Sequence, residues 1–291
     1  MYPAHIENYH RPTTVAEALA AIAQHADGDS MFLAGGQSLM QAIKSRMIRP
    51  TSIVDLQSVA ELRGIDQSNG LRIAAMTRYV EIAEYEQFPA AYEALKDAAC
   101  RVGDRQVRNR GTIGGSLCWN YVASCLPTVV LALNGAMSLA SAGDSIRDVE
   151  AKDFIIGPLE TARREDEILL SVSWPKPAPN TGSAYKKWGL VTDALPVVGM
   201  CVSVTLDDSG KCRAAQVAVA GLADGAQIAA AGGAALIGSA GDETSIDAAM
   251  NAVADSVETH SDHWADAKYR EQLIKRLGAE VTMRAFERAR C

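Results

Sequence analysis

Gln106-Val107-Arg108-Asn109-Arg110-Gly111-Thr112-Ile113-Gly114-Gly115-Ser116-Leu117 is the stretch whose reading decides the fold. Its second half sets two adjacent glycines between hydroxyl residues, with apolar sequence following. Glycine lacks a Cβ, so the chain can turn tightly and a ligand can approach the main chain. A turn of this kind leading into a helix is expected to gather free N–H groups, an arrangement suited to a pyrophosphate. The same features occur upstream. Met31-Phe32-Leu33 reads as a short strand running into Ala34-Gly35-Gly36-Gln37-Ser38, with a helix expected from Leu39 to Arg46.

The spacing also excludes familiar sites. Neither loop is G-x-x-x-x-G-K-[ST] or G-x-G-x-x-G, so neither a P-loop nor a Rossmann site is supported. No G-x-S-x-G elbow or paired-carboxylate motif is present. Two nucleotide-like loops without hydrolytic machinery suit a redox cofactor, which brings its own chemistry.

Working outward, Thr14 and Glu17 are spaced as a capping box ahead of an alanine-rich helix reaching Ala26. Strands are expected at Ser52–Val54 and Leu71–Ala75, and helices at Tyr79–Glu86 and Ala91–Arg101. After the second loop come a helix at Leu126–Leu133 and strands at Ala136–Ala140 and Glu167–Trp174. Pro175, Pro177 and Pro179 mark the best boundary in the chain. Beyond them, Val198–Leu206 and Cys212–Ala220 flank Asp207-Asp208-Ser209-Gly210-Lys211, a hairpin signal. A helical tail covers Lys268–Arg290. The reading is an α+β protein with a C-terminal antiparallel sheet backed by helices.

A net charge of -7 argues against a nucleic-acid partner, which needs a basic face. No apolar run reaches the roughly 18 residues of a membrane helix, and the start lacks the order of a secretory signal. A cytoplasmic protein is expected. The six cysteines form no C-x-x-C pair, so no cluster or zinc site is read from them. His260 and His263 are close but lack an accompanying carboxylate pattern, so they read as a solvated loop and no metal site is expected.

The long second motif resembles the second FAD loop of the xanthine dehydrogenase and carbon monoxide dehydrogenase medium subunits, and Ala34–Leu39 with Arg49-Pro50 resembles their first. Tyr9-His10-Arg11-Pro12, Glu167-Ile168-Leu169-Leu170 and Ala184-Tyr185-Lys186-Lys187 match in order, so the likeness spans nearly the whole chain. The resemblance implies an FAD-binding region of the vanillyl-alcohol-oxidase type over 1–177, in two parts (about 1–58 and 59–177). A flavoprotein C-terminal domain would cover 178–291. It implies that Leu33, Ala34, Gly35, Gly36, Gln37 and Ser38 wrap the FAD pyrophosphate together with Thr112, Ile113, Gly114, Gly115 and Ser116. Val102 would sit beside the cofactor, Leu169 would give a main-chain contact, and Lys186 would lie near the flavin.

It further implies an electron-transfer role inside a molybdenum hydroxylase. A large subunit would carry the molybdenum cofactor and a small one two [2Fe–2S] clusters, assembled as a dimer of heterotrimers. No catalytic residue is expected in this chain. Two other readings stay open, a structural subunit that has lost FAD and an independent flavoenzyme. The first is motivated by a departure from the family pattern. Where relatives place two aspartates after the second loop, this chain has Tyr121 and Cys125, and a thiol is a poor acceptor for a ribose hydroxyl. Asn120 or Ser124 could substitute, and Trp119 and Tyr121 could stack on the cofactor or pack against a partner.

Overall fold

The computed structural model describes residues 4–25, 30–143 and 145–291. At its N-terminal end three parallel strands lie in the order Asn8–His10, Ser52–Asp55, Ser30–Leu33. Helix Val15–Ala23 and helix Leu39–Lys44 make the crossovers. Parallel strands present their carboxyl ends at one edge, where open α/β sheets receive ligands, and the first glycine loop leaves Leu33 at that edge. Thr14 caps the first helix by accepting the N–H of Glu17. The Glu17 carboxylate reaches past Thr14 to the N–H and hydroxyl of Thr13, so the capping box is shifted by one residue. The helix ends at Ala23; the expected Ala26 lies outside the described residues.

A five-stranded antiparallel sheet follows, in the order Ile65–Asp66, Leu71–Ala74, Ile168–Trp174, Ala136–Ser141, Ser145–Glu150. Its buried Leu71, Ile73 and Val172 share a core with Leu95, Leu117, Leu126 and Val129, which come from helices Glu93–Ala99, Ile113–Trp119 and Cys125–Ala132. The helix expected to reach Glu86 closes at Ala83. There the Tyr85 N–H bonds the Ile82 carbonyl, and its ring packs 4.7 Å from Phe88. The helix expected from Ala91 opens as one tight turn, Ala90–Tyr92, after Pro89 and becomes α-helical only at Glu93.

The C-terminal sheet is antiparallel, Thr181–Trp188, Val198–Leu206, Cys212–Ala220, Gln227–Ile228. The hairpin turn is fixed by Asp207, whose Oδ1 accepts the N–H groups of Ser209 and Lys211. One face, including Met200, Val202, Val217 and Val219, packs on Ile274, Leu277 and Val281 of helix Ala267–Ala289. The other face sends Tyr185, Cys201, Ala218 and Ala220 into the core of the middle region. A sheet buried on both faces ties the two parts together. Arg288 reinforces the join, its two Nη atoms 2.6 and 3.0 Å from the Asp97 carboxylate oxygens and Nη1 2.7 Å from the Ser183 carbonyl. Among the described residues no helix is long and apolar enough to cross a membrane.

Candidate functional site

A cleft of about 860 Å³ opens where the three sheets meet. Ala34, Gly35, Gly36, Gln37 and Ser38 line one wall, and Thr112, Gly114, Gly115 and Ser116 face them. Val102, Cys125 and Leu169 complete it. Leu33 and Ile113 are buried behind these walls as core side chains.

The glycines are required by close approach. A Cβ on Gly35 would stand 2.1 Å from the Arg110 carbonyl oxygen, so the two loops touch backbone to backbone. A Cβ on Gly114 would stand 2.7 Å from the Ala75 carbonyl oxygen, against the middle sheet. Gly36 has φ +74, the left-handed region that glycine enters without a steric cost.

The loops differ in what they offer. Among the described residues no acceptor takes the backbone N–H of Gly35, Gly36, Gln37 or Ser38. Gly35 is buried and Gly36 half-buried, where an unpaired donor is unusual, and Gln37 and Ser38 continue the row at the exposed lip, so this cluster beside a cleft is suited to an anionic group. The second loop was expected to do the same, and does not. Gly114 and Gly115 form the first turn of helix Ile113–Trp119 instead of preceding it. Ile113 N–H bonds Thr77, Gly114 N–H bonds Ala75, and Ser116 N–H bonds the Thr112 carbonyl. The Thr112 hydroxyl takes the N–H of Gly115. The second loop therefore contributes close approach and the Ser116 side chain.

The two adjacent lysines lie on different sides of their strand. Lys186 points away from the cleft and pairs with Glu280 at 2.5 Å. Lys187 lines the cleft, 8% exposed, with Nζ 2.5 Å from the Ala194 carbonyl. Burial pushes its pKa below the ordinary lysine value. Strand alternation could have found this, because buried Tyr185 marks the inward face and Lys187 shares it. Sequence reasoning also missed Arg163 and the segment 193–196 as lining residues.

Beyond the second loop, Trp119 and Ser124 line the cleft while Tyr121 does not. Asn120 is spent on structure. It ends the helix in a left-handed conformation (φ 42), and its Nδ2 donates to the carbonyls of Gly157 and Glu160. Cys125 is buried, and burial raises its thiol pKa, so it stands neutral in the cleft. The Tyr185 hydroxyl lies against it without a hydrogen-bond partner among the described residues. At another edge Glu167, 2% exposed, takes both Nε and Nη2 of Arg147, at 2.6 and 2.8 Å. The Arg164 N–H also donates to it at 2.7 Å, which fixes the backbone leading into Leu169.

Two contacting glycine loops, a set of unpaired N–H groups and one buried cation around a deep cleft define a site suited to an anionic, nucleotide-like group, and the comparisons with known proteins give its class, an oxidoreductase subunit. Residues 4–177 match the FAD binding domain in molybdopterin dehydrogenase, and residues 183–288 match the CO dehydrogenase flavoprotein C-terminal domain. The chain belongs to this family, the FAD-binding medium subunits of molybdenum hydroxylases. It is 31% identical to the carbon monoxide dehydrogenase medium chain of Hydrogenophaga pseudoflava, over 95% of this chain and 96% of that one. It is 34% identical to the caffeine dehydrogenase subunit beta of a Pseudomonas species, over 62% of this chain and 61% of that one. In structure it matches the carbon monoxide dehydrogenase of H. pseudoflava with a TM-score of 0.92, 30% identity and 99% coverage of both chains. Quinoline 2-oxidoreductase from Pseudomonas putida 86 matches at 0.90 and 27% identity, over 99% of each chain.

Proposed function

We propose that this chain holds FAD in the cleft and relays electrons between an iron–sulfur partner and an external acceptor. The observation that carries the reading is the row of unpaired N–H groups from Gly35 to Ser38, which would take the pyrophosphate. Ser116 would donate its hydroxyl from the facing loop, and the Leu169 main chain and Val102 would give further contacts. Lys187, rather than Lys186, supplies the positive charge inside the cleft. Bound FAD supplies the redox chemistry itself. The protein's part is to position the group, keep water from it and hold a cation near developing negative charge.

In this reading substrate hydroxylation occurs on a large molybdenum subunit, and a small subunit with two [2Fe–2S] clusters feeds this chain. The complex is a dimer of heterotrimers in the cytoplasm. Purified protein should be yellow, release FAD on denaturation and co-purify with one larger and one smaller redox subunit. Colourless protein that ignores added FAD would favour a purely structural subunit. A yellow chain that turns over a small molecule alone would favour an independent flavoenzyme.

A further inference from the structure

Arg110 meets the N-terminal part of the chain at two points. Its carbonyl oxygen stands against Gly35, and its guanidinium Nη2 donates to Gln57 Oε1 at 2.8 Å. Neither Arg110 nor Gln57 lines the cleft. Gln57 sits in the tight turn Leu56–Ser58, directly after strand Ser52–Asp55. Asp55, the last residue of that strand, pairs in register with Leu33 at the root of the first glycine loop. Leu33 to Gly35, Arg110, Gln57 and Asp55 therefore form a closed ring of contacts behind the cleft.

The turn that carries Gln57 is held from several sides. Asp55, 3% exposed, accepts the Gln57 N–H at 2.9 Å, and the Gln57 side-chain nitrogen lies 3.5 Å from its other oxygen. With that nitrogen turned to Asp55, the amide presents its oxygen to Arg110, the one orientation in which both contacts join a donor to an acceptor. The Arg63 guanidinium donates to the Gln57 carbonyl at 2.8 Å. Two side chains of the Tyr9-His10-Arg11-Pro12 stretch complete the hold. The Tyr9 hydroxyl donates to Asp55 at 2.5 Å, and Arg11 Nε donates to the Ser58 hydroxyl at 2.8 Å.

We propose that Gln57 is a positioning residue for the cleft. By fixing the Arg110 side chain it sets where the Arg110 carbonyl stands, and so how far the N–H row of the first loop lies from the second loop. Tyr9 and Arg11 act one step further back, by fixing the turn. The proposal rests on the reading of the cleft as a flavin site, with the pyrophosphate on that row. Hydrogen bonds weaken steeply as their angle departs from linearity, so an anion held by several aligned donors is sensitive to a small shift of the loop.

The test is titration of the full chain, freed of flavin, with FAD and separately with ADP, which has a pyrophosphate and no flavin. Wild type is compared with Gln57→Met, Arg110→Met and the double variant. Gln57→Met changes no charge, and Arg110→Met keeps the backbone carbonyl. Each single variant should bind both ligands about tenfold more weakly, and the double variant no more weakly than either. The Arg110 side chain is exposed, so Arg110→Met carries the test even where Gln57→Met impairs folding. Gln67→Met gives up hydrogen bonds to Tyr85 and Gln87, none of which lines the cleft, and should keep wild-type affinity. Wild-type affinity in folded Gln57→Met or in Arg110→Met overturns the proposal. So do losses that multiply to about a hundredfold in the double variant, which would make Arg110 an independent charge. A wild type that binds ADP but ignores FAD counts against the flavin reading alone, and the ADP series still decides the role of Gln57. A wild type that binds neither overturns both.

Discussion

Gly35→Ala tests the contact on which the cleft depends. Gly35 does not have a positive φ, so alanine is compatible with the backbone and any effect must be steric. The added Cβ would sit 2.1 Å from the Arg110 carbonyl oxygen and 2.8 Å from Gly111 Cα. Against the roughly 3.3 Å of an ordinary carbon–oxygen contact, the loops would have to part by about 1.2 Å. Both sides are backbone, so no side chain can swing away. Overpacking of this sort costs about 1–3 kcal/mol, or about 2–6 °C at roughly 2 °C per kcal/mol for a chain of this size. Moving the N–H cluster by that distance should lose at least one hydrogen bond to a charged group, about 1.5–3 kcal/mol and so about 10- to 100-fold in FAD affinity. Thermal denaturation and flavin titration measure the two effects separately. Gly157→Ala is the control, because a Cβ there meets nothing within 4 Å and its φ is not positive. If Gly35→Ala matches that control in both melting temperature and flavin affinity, the seam between the loops does not shape the site.

Three further outcomes are expected. Lys187→Met should weaken FAD binding about tenfold, whereas Lys186→Met should leave it unchanged, since the exposed pair with Glu280 contributes about 0–1 kcal/mol to stability alone; the reverse result in a flavin titration would return the role to Lys186. Hydrogen bonds from Arg147, then from the Arg164 N–H, outweigh burial and hold the Glu167 carboxyl below its ordinary value of 4.5. Its contribution is therefore present above about pH 4.5 and lost as pH falls through the depressed value, so the unfolding free energies of wild type and Glu167→Gln from urea titration, about 1–3 kcal/mol apart at pH 7, should converge only as pH falls below that value. Cys125→Asp should tighten FAD binding about 2- to 10-fold, because the new carboxylate would sit at the start of helix Cys125–Ala132 near Lys187; weaker binding would show that position 125 does not face a cofactor hydroxyl.

The parts of this protein that could be read from sequence are those set by local rules. The Gly-Gly pairs and the Asp207 hairpin each act over a few residues, and each was found. One helix limit moved within a few residues, where Tyr85 leaves the helix after Ala83 to pack on Phe88. The expectation of free N–H groups in the second loop failed for a longer-range reason. Thr77 and Ala75, the acceptors for Ile113 and Gly114, lie more than thirty residues away and were invisible to a local reading. Period-two alternation fixes which of Lys186 and Lys187 shares a face with Tyr185.

The two glycine motifs look alike but do different work, and the reason lies in what each packs against. The second loop is already fastened. Its N–H groups are consumed by the middle sheet and by Thr112, and Gly114 is pressed against Ala75. The first loop hangs from the end of a parallel strand with its donors unpaired, held by contact with Arg110 and Gly111. A fixed wall facing a donor-rich one gives a cleft whose shape comes from one side and whose affinity comes from the other. A ligand that satisfies the donors would bridge the N-terminal sheet to the middle one. Because it binds only the assembled protein, it would stabilise that seam by mass action. The third wall is set by Lys187, whose Nζ donates to the Ala194 carbonyl.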